Sequence, residues 1–215
     1  MSELINRLSS QQKRKDQQPN IELGKEIAAS ANIQAIAEIK GLLKDEKTPT
    51  EIVADLLKTL ESIGESTPAL ITDFYLEVRK FLDHKENYLV WRAMCVLALI
   101  GPYNRDLVFH DLSKILIIMD HGSVITRDHG INLLIDLYTE RKYKEDITPL
   151  LEEQILKAPD NQLGQYAEKW MKVLTSSDAQ KLLNILNQRQ PELTNDSHKK
   201  RINKIISRLI KLSTQ

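Results

Sequence analysis

The chain repeats itself, and that fact limits its fold more than any other. Phe81-Leu82-Asp83-His84 returns 37 residues later as Ile118-Met119-Asp120-His121, and Val90-Trp91-Arg92 returns after 35 as Ile125-Thr126-Arg127. Ile63-Gly64 stands 37 residues before Ile100-Gly101, and Trp170 with Val173 and Leu174 falls where a further copy would place its core. Each period holds two segments whose apolar residues recur at three and four positions, the spacing of one helix face. Helix pairs of this length cannot close a core alone and bury their faces against neighbouring pairs. The predicted fold is therefore all-α, a right-handed α-solenoid of about four to five helix pairs.

Individual helices can be placed from that rhythm. Ile33, Ile36, Ile39, Leu42 and Leu43 share a face, and the stretch from Asp45 to Thr50 breaks the helix. The next helix starts after Pro49 and ends at Gly64, carrying Ile52, Val53, Leu56, Leu57, Leu60 and Ile63. Further helices are expected over 67–82, 87–100, 105–119, 123–138, 143–156, 161–174, 177–188 and 196–212. Residues 2–10 suit a short helix, whereas QQKRKDQQPN over 11–20 offers nothing to bury. The expected organisation is an N-terminal helix and flexible arm over 1–20, then a single helical domain over 21–215 closed by a capping helix. That last helix sets Ile202, Ile205, Ile206 and Leu209 against a basic face of Lys200, Lys204, Arg208 and Lys211. A polar outer side is what a terminal repeat needs.

The most apolar segment is NYLVWRAMCVLALIG, residues 87–101, in which Arg92 is the only charge. A helix apolar on nearly every side must be covered from several directions, so it belongs mid-structure with Cys95, Ala98 and Leu99 in the core. Cys95 is the only cysteine, so no internal disulfide can form, and a thiol in an apolar run reads as packed and inert. Thirty basic and thirty acidic side chains leave no net charge to attract nucleic acid or membrane. The longest apolar run, residues 93–101, is too short to span a bilayer, and no secretory leader pattern opens the chain. A cytoplasmic protein without membrane association is expected.

The second helix of each pair resembles that of HEAT repeats, with an Asp in the turn, then Val-Arg, then small and aliphatic residues at helical spacing. Here Asp83 is followed by Trp91-Arg92 with Cys95, Ala98, Leu99 and Gly101, and Asp120 by Thr126-Arg127 with Gly130, Leu133 and Leu134. The resemblance extends over residues 30–212 and departs from the pattern in the flanking pairs, which carry Ala54 and Gly164-Gln165 where the arginine would stand. It implies a structural ladder in which turn carboxylates Asp83 and Asp120 meet Arg92 and Arg127 of adjacent repeats. It also implies that second helices line a concave face.

Two clusters are candidates for that face. Asp128, Asn132 and Asp136 are spaced by four and form a polar stripe, beside Arg127 and with Glu168 and Lys172 of the next pair. Asn87, Tyr88 and Trp91 crowd amphipathic side chains at one helix start, a composition that marks contact surfaces. Trp170, beside Val173 and Leu174, is assigned to the core instead. Histidine stands beside aspartate four times, but His84 and His121 lie in equivalent turns a repeat apart, too far to share one ion, so no metal or other cofactor is predicted. Phosphate loops, nucleophile elbows and His-Glu-x-x-His are absent. The resulting expectation is a non-enzymatic scaffold or adaptor holding a protein or peptide on its concave face. The alternative is a DNA-binding protein related to HEAT-like alkylation-repair glycosylases, similar in the C-terminal half through Trp170 and Arg127.

Overall fold

Proline, glycine and short polar runs punctuate the chain where the helices stop. The structure, a computed structural model, describes residues 2–213. Its helices are α1 (Glu3–Asn6), α2 (Gln18–Ser30), α3 (Ile33–Lys44), α4 (Thr50–Ser66), α5 (Tyr75–Arg79), α6 (Asn87–Ile100) and α7 (Arg105–His110). They continue as α8 (Leu112–His121), α9 (Val124–Thr139), α10 (Lys144–Leu156), α11 (Asp160–Met171), α12 (Ser176–Arg189) and α13 (Asp196–Ser213). No strand occurs among the described residues, and no helix among them is long and apolar enough to cross a membrane.

Two predicted helices are interrupted. Over 67–82, Pro68 opens a 3₁₀ segment, Pro68–Phe74, before the short α5 and a second 3₁₀ turn, Lys80–Asp83. Proline lacks the N–H a helix interior requires and pushes the preceding residue away from helical dihedrals, here Thr67 with φ −145° and ψ 72°. Over 105–119 the chain breaks at Asp111, between α7 and α8. Its carboxylate is drawn inward by Arg79 and Tyr75.

The helices gather in two compact units, one reaching to Gly130 and one starting at Ile131, where a single domain from residue 21 was expected. In the first, α4 packs between α2 and α6. All six apolar residues predicted for its stripe, Ile52 to Ile63, are buried. The α2 contact is close: a Cβ built on Gly24 would stand 2.6 Å from the Thr59 carbonyl and from Ser62 Cβ, so only glycine lets the helices approach. Helix α6 is covered by α4, α5 and the 3₁₀ turns, burying Leu89, Ala93 to Leu97 and Ile100, whereas Ala98 and Leu99 are half-buried. Cys95 is buried, and burial pushes its thiol pKa up to about 12.

The N-terminal residues expected to form a loose arm are tied into this unit. Leu4 and Leu8 are buried, and Asn20 accepts the Ser9 N–H at 2.9 Å while donating to Asp55 at 2.7 Å. The second Asp55 oxygen accepts the Ser10 N–H at 2.8 Å.

In the second unit α12 packs on α10 and α13, and α11 on α13. Ile202, Ile205 and Leu209 of α13 turn inward and Lys200, Lys204, Arg208 and Lys211 outward, the division expected of a capping helix. Trp170 is fully buried, edge-on to Tyr138 with ring centroids 5.7 Å apart, as expected of a core residue. Its expected neighbour Val173 is instead exposed.

Candidate functional site

Inter-repeat ion pairs exist, but the arginines that make them are not the predicted Arg92 and Arg127. Tyr75 and Arg79 stand four apart on one face of α5 and converge on Asp111. Arg79 donates through Nε and Nη2, both at 2.6 Å, and the Tyr75 hydroxyl donates at 3.2 Å. Burial alone would raise the Asp111 pKa, yet the hydrogen bonds from Arg79 and His110 hold it below the ordinary value. One repeat away, Asp83 meets Lys114, not an arginine, and Lys40 meets Asp73 at 2.6 Å. In the second unit Lys144 reaches Asp178 at 2.8 Å and Arg201 reaches Glu168 at 2.6 Å. Burial would likewise raise Asp178, but Lys144, Tyr138, Lys181 and Thr175 hold it well below the usual carboxylate range.

Of the predicted ladder, Asp83 pairs with a lysine, and Arg92 and Arg127 make other contacts. Arg127 donates to the Met119 carbonyl at 3.3 Å, and Asp120 is exposed near the end of α8. Arg92 is only 8% exposed and makes no hydrogen bond or ion pair with any described residue. Its guanidinium carbon lies 4.7 Å from the centroid of the Trp91 ring, over which the cation is attracted by the π electrons. Burial pulls the Arg92 pKa below its ordinary value, opposed by the fields of Glu61, Cys95 and Asp55.

That arginine opens onto a cavity of about 270 Å³, lined by Trp91 and Tyr88 of α6, Glu51 and Asp55 of α4, and Ser9 of the N-terminal segment. Tyr88 is 37% exposed and Trp91 half-buried, so both rings keep an open side. The Ser9 hydroxyl is buried without a hydrogen-bond partner among the described residues. Asn87, also expected here, is exposed at the first turn of α6. Sequence alone gives no sign of Ser9, Glu51 or Asp55, because the N-terminal segment carries no periodicity linking it to the helices it covers.

The other predicted cluster lies along α9. Arg127, Asp128, Asn132 and Asp136 are all half-buried, and Asn132 accepts from Lys169 of α11 at 2.8 Å. Arg127 and Asp128 fall in the first unit, Asn132 and Asp136 in the second.

Among solved structures the chain is similar to a designed armadillo repeat protein over 96% of this chain and 98% of that one, with a TM-score of 0.60 and 14% identity. A second designed armadillo repeat protein, solved in complex with the peptide (KR)4, matches over 99% and 100% with a TM-score of 0.57 and 14% identity. The fold is an armadillo-like α-solenoid. An engineered protein from a structural genomics consortium matches over 99% and 98% of the two chains, with a TM-score of 0.58 and 13% identity. At such identities the likeness carries the repeat scaffold and not its chemistry. The resemblance to alkylation-repair glycosylases finds no support among these structures. No protein-family model and no curated protein matches the sequence.

Proposed function

We propose that this α-solenoid is a non-enzymatic binding module that holds a protein or peptide segment against the start of α6, with Trp91 and Tyr88 as the anchoring side chains. The observation that carries the reading is the pair of partly open aromatic rings beside a cavity at a helix start. Aromatic anchors next to a pocket are where a few residues dominate binding energy. Support also comes from the scaffold type, since one similar designed protein was solved in complex with a peptide, (KR)4. The polar stripe of Arg127, Asp128, Asn132 and Asp136 belongs to the same proposal as a second contact surface. Its placement on a concave face rests on the repeat resemblance.

Peptide display selection against the whole chain tests this, followed by titration of the selected peptides. Tyr88→Ala combined with Trp91→Ala should weaken them by at least about tenfold, the loss of a hot-spot pair. Equal affinity for wild type and the double variant would remove the assigned surface. Salt-sensitive binding of duplex DNA in place of peptide would favour the nucleic-acid alternative.

A further inference from the structure

The Arg92 cavity holds an imbalance that the aromatic anchors do not explain. A guanidinium carries five donors and cannot discard its proton at physiological pH. Here Arg92 as a whole is 8% exposed, its guanidinium has no protein acceptor among the described residues, and it lines the cavity. The nearest acids do not serve it. Both oxygens of Asp55 are occupied, by the Asn20 amide at 2.7 Å and the Ser10 N–H at 2.8 Å, and Glu61 gives Oε1 to Lys58 at 2.8 Å, while its Oε2 is buried without a hydrogen-bond partner among the described residues, Arg92 included. The Arg92 contact with Trp91, guanidinium carbon to ring centroid at 4.7 Å, uses the cation's charge and supplies no hydrogen-bond acceptor to its N–H groups. Ser9, on the same cavity, supplies a second unmet hydroxyl.

We propose that this cavity is a carboxylate-binding subsite, in which Arg92 takes a chain-terminal or side-chain carboxylate of the segment docked on Trp91 and Tyr88. The assignment rests on the docking reading above for its source of ligand. The fork of a guanidinium matches the two oxygens of a carboxylate, and Ser9 can donate a further hydrogen bond. The lining acids Glu51 and Asp55 are matched by Arg92 and Arg14, the latter paired with Asp16 at 3.0 Å, so no spare cation balances the second charge of a phosphate dianion and a monoanion suits the site better. Trp91 then has two tasks, packing against the partner's apolar surface and holding the arginine beside its ring.

The test is a titration of the whole chain followed through the Arg92 Nε–H and Trp91 indole N–H resonances. The probes are acetyl-dialanine with a free terminal carboxylate, its amide, acetyl-aspartyl-alanine amide and inorganic phosphate. Either carboxylate probe should shift both resonances saturably, and which of the two binds tighter identifies the source. The neutral amide should leave them in place. Arg92→Gln should lower carboxylate affinity at least about tenfold, and Arg92→Lys, which keeps the charge but loses the fork, should also weaken it. If Arg92→Gln does not fold, Arg92→Lys carries the comparison. Equal shifts with the amide, tighter binding of phosphate, or wild-type affinity in Arg92→Lys and in any folded Arg92→Gln would overturn the subsite. Carboxylate binding that persists while selected peptides ignore Tyr88 and Trp91 would retain the subsite and remove the docking reading. Anchored peptides with silent probe titrations would do the reverse.

Discussion

Removing the Asp111 carboxylate should destabilise the first unit by about 3 kcal/mol, a figure that follows from what the carboxylate satisfies. It is 4% exposed and receives two guanidinium N–H groups of Arg79 and the hydroxyl of Tyr75. Hydrogen bonds to charged groups contribute about 1.5–3 kcal/mol each, but Arg79 is a third exposed and regains water, so its share is reduced to about 1.5 kcal/mol in all. Tyr75 has no such recourse. It is buried, and an orphaned hydroxyl costs about 1–3 kcal/mol. Urea denaturation of Asp111→Ala measures the sum. Repeating the substitution in a Tyr75→Phe background isolates the hydroxyl, because phenylalanine leaves nothing to orphan. There the cost of Asp111→Ala should fall by about 1 kcal/mol or more. A loss under about 1 kcal/mol in the wild-type background, or a cycle that adds without coupling, would refute the assignment of this cluster as the inter-repeat clamp.

Acid should act through the same kind of group. The folded-state pKa values of Asp111 and Asp178 are depressed, so their contribution is complete above the unfolded value near 3.9 and is lost as pH falls below it. Thermal melts should show little change due to these two groups from pH 7 to 5 and a decline below about pH 4, shallower in Asp178→Asn. Gly24→Ala should cost about 1–3 kcal/mol in chemical denaturation, because the added methyl meets the Thr59 carbonyl, which cannot swing aside as a side chain would. Cys95, with its thiol pushed up to about 12, should resist a disulfide-exchange reagent at pH 8 in the native state and react once denaturant opens the unit.

Repetition and helical spacing carried most of the fold because both are consequences of burial. The stripe of α4 could be read residue by residue since each member faces the same core, and the near-continuous apolarity of α6 correctly implied cover from several sides. Pair identities were harder. The offset between Trp91-Arg92 and Thr126-Arg127 shows which residues occupy equivalent positions, but not which way a long side chain turns. Arg92 lies over Trp91, and the clamp passes instead to Arg79 and Asp111, a pair hidden within two segments that read as unbroken helices. Of the candidate cavity, Tyr88 and Trp91 were legible from amphipathic crowding at a helix start. Ser9 and Asp55 were not, because the long-range hydrogen bonds through Asn20 that join them leave no periodic trace, and Glu51 arrives only through the packing of α4 on α6.

The placement of the two tryptophans has an optical consequence. Each compact unit contains one of them, Trp91 with an open side over a cation and Trp170 sealed beside Tyr138. The buried indole should emit at shorter wavelength and resist aqueous quenchers, while the other should emit to the red and respond to iodide. A single unlabelled sample thus contains two spectral reporters. Loss of the blue component records melting of the C-terminal half, and changes in the quenchable component record events in the N-terminal half, including occupation of its cavity.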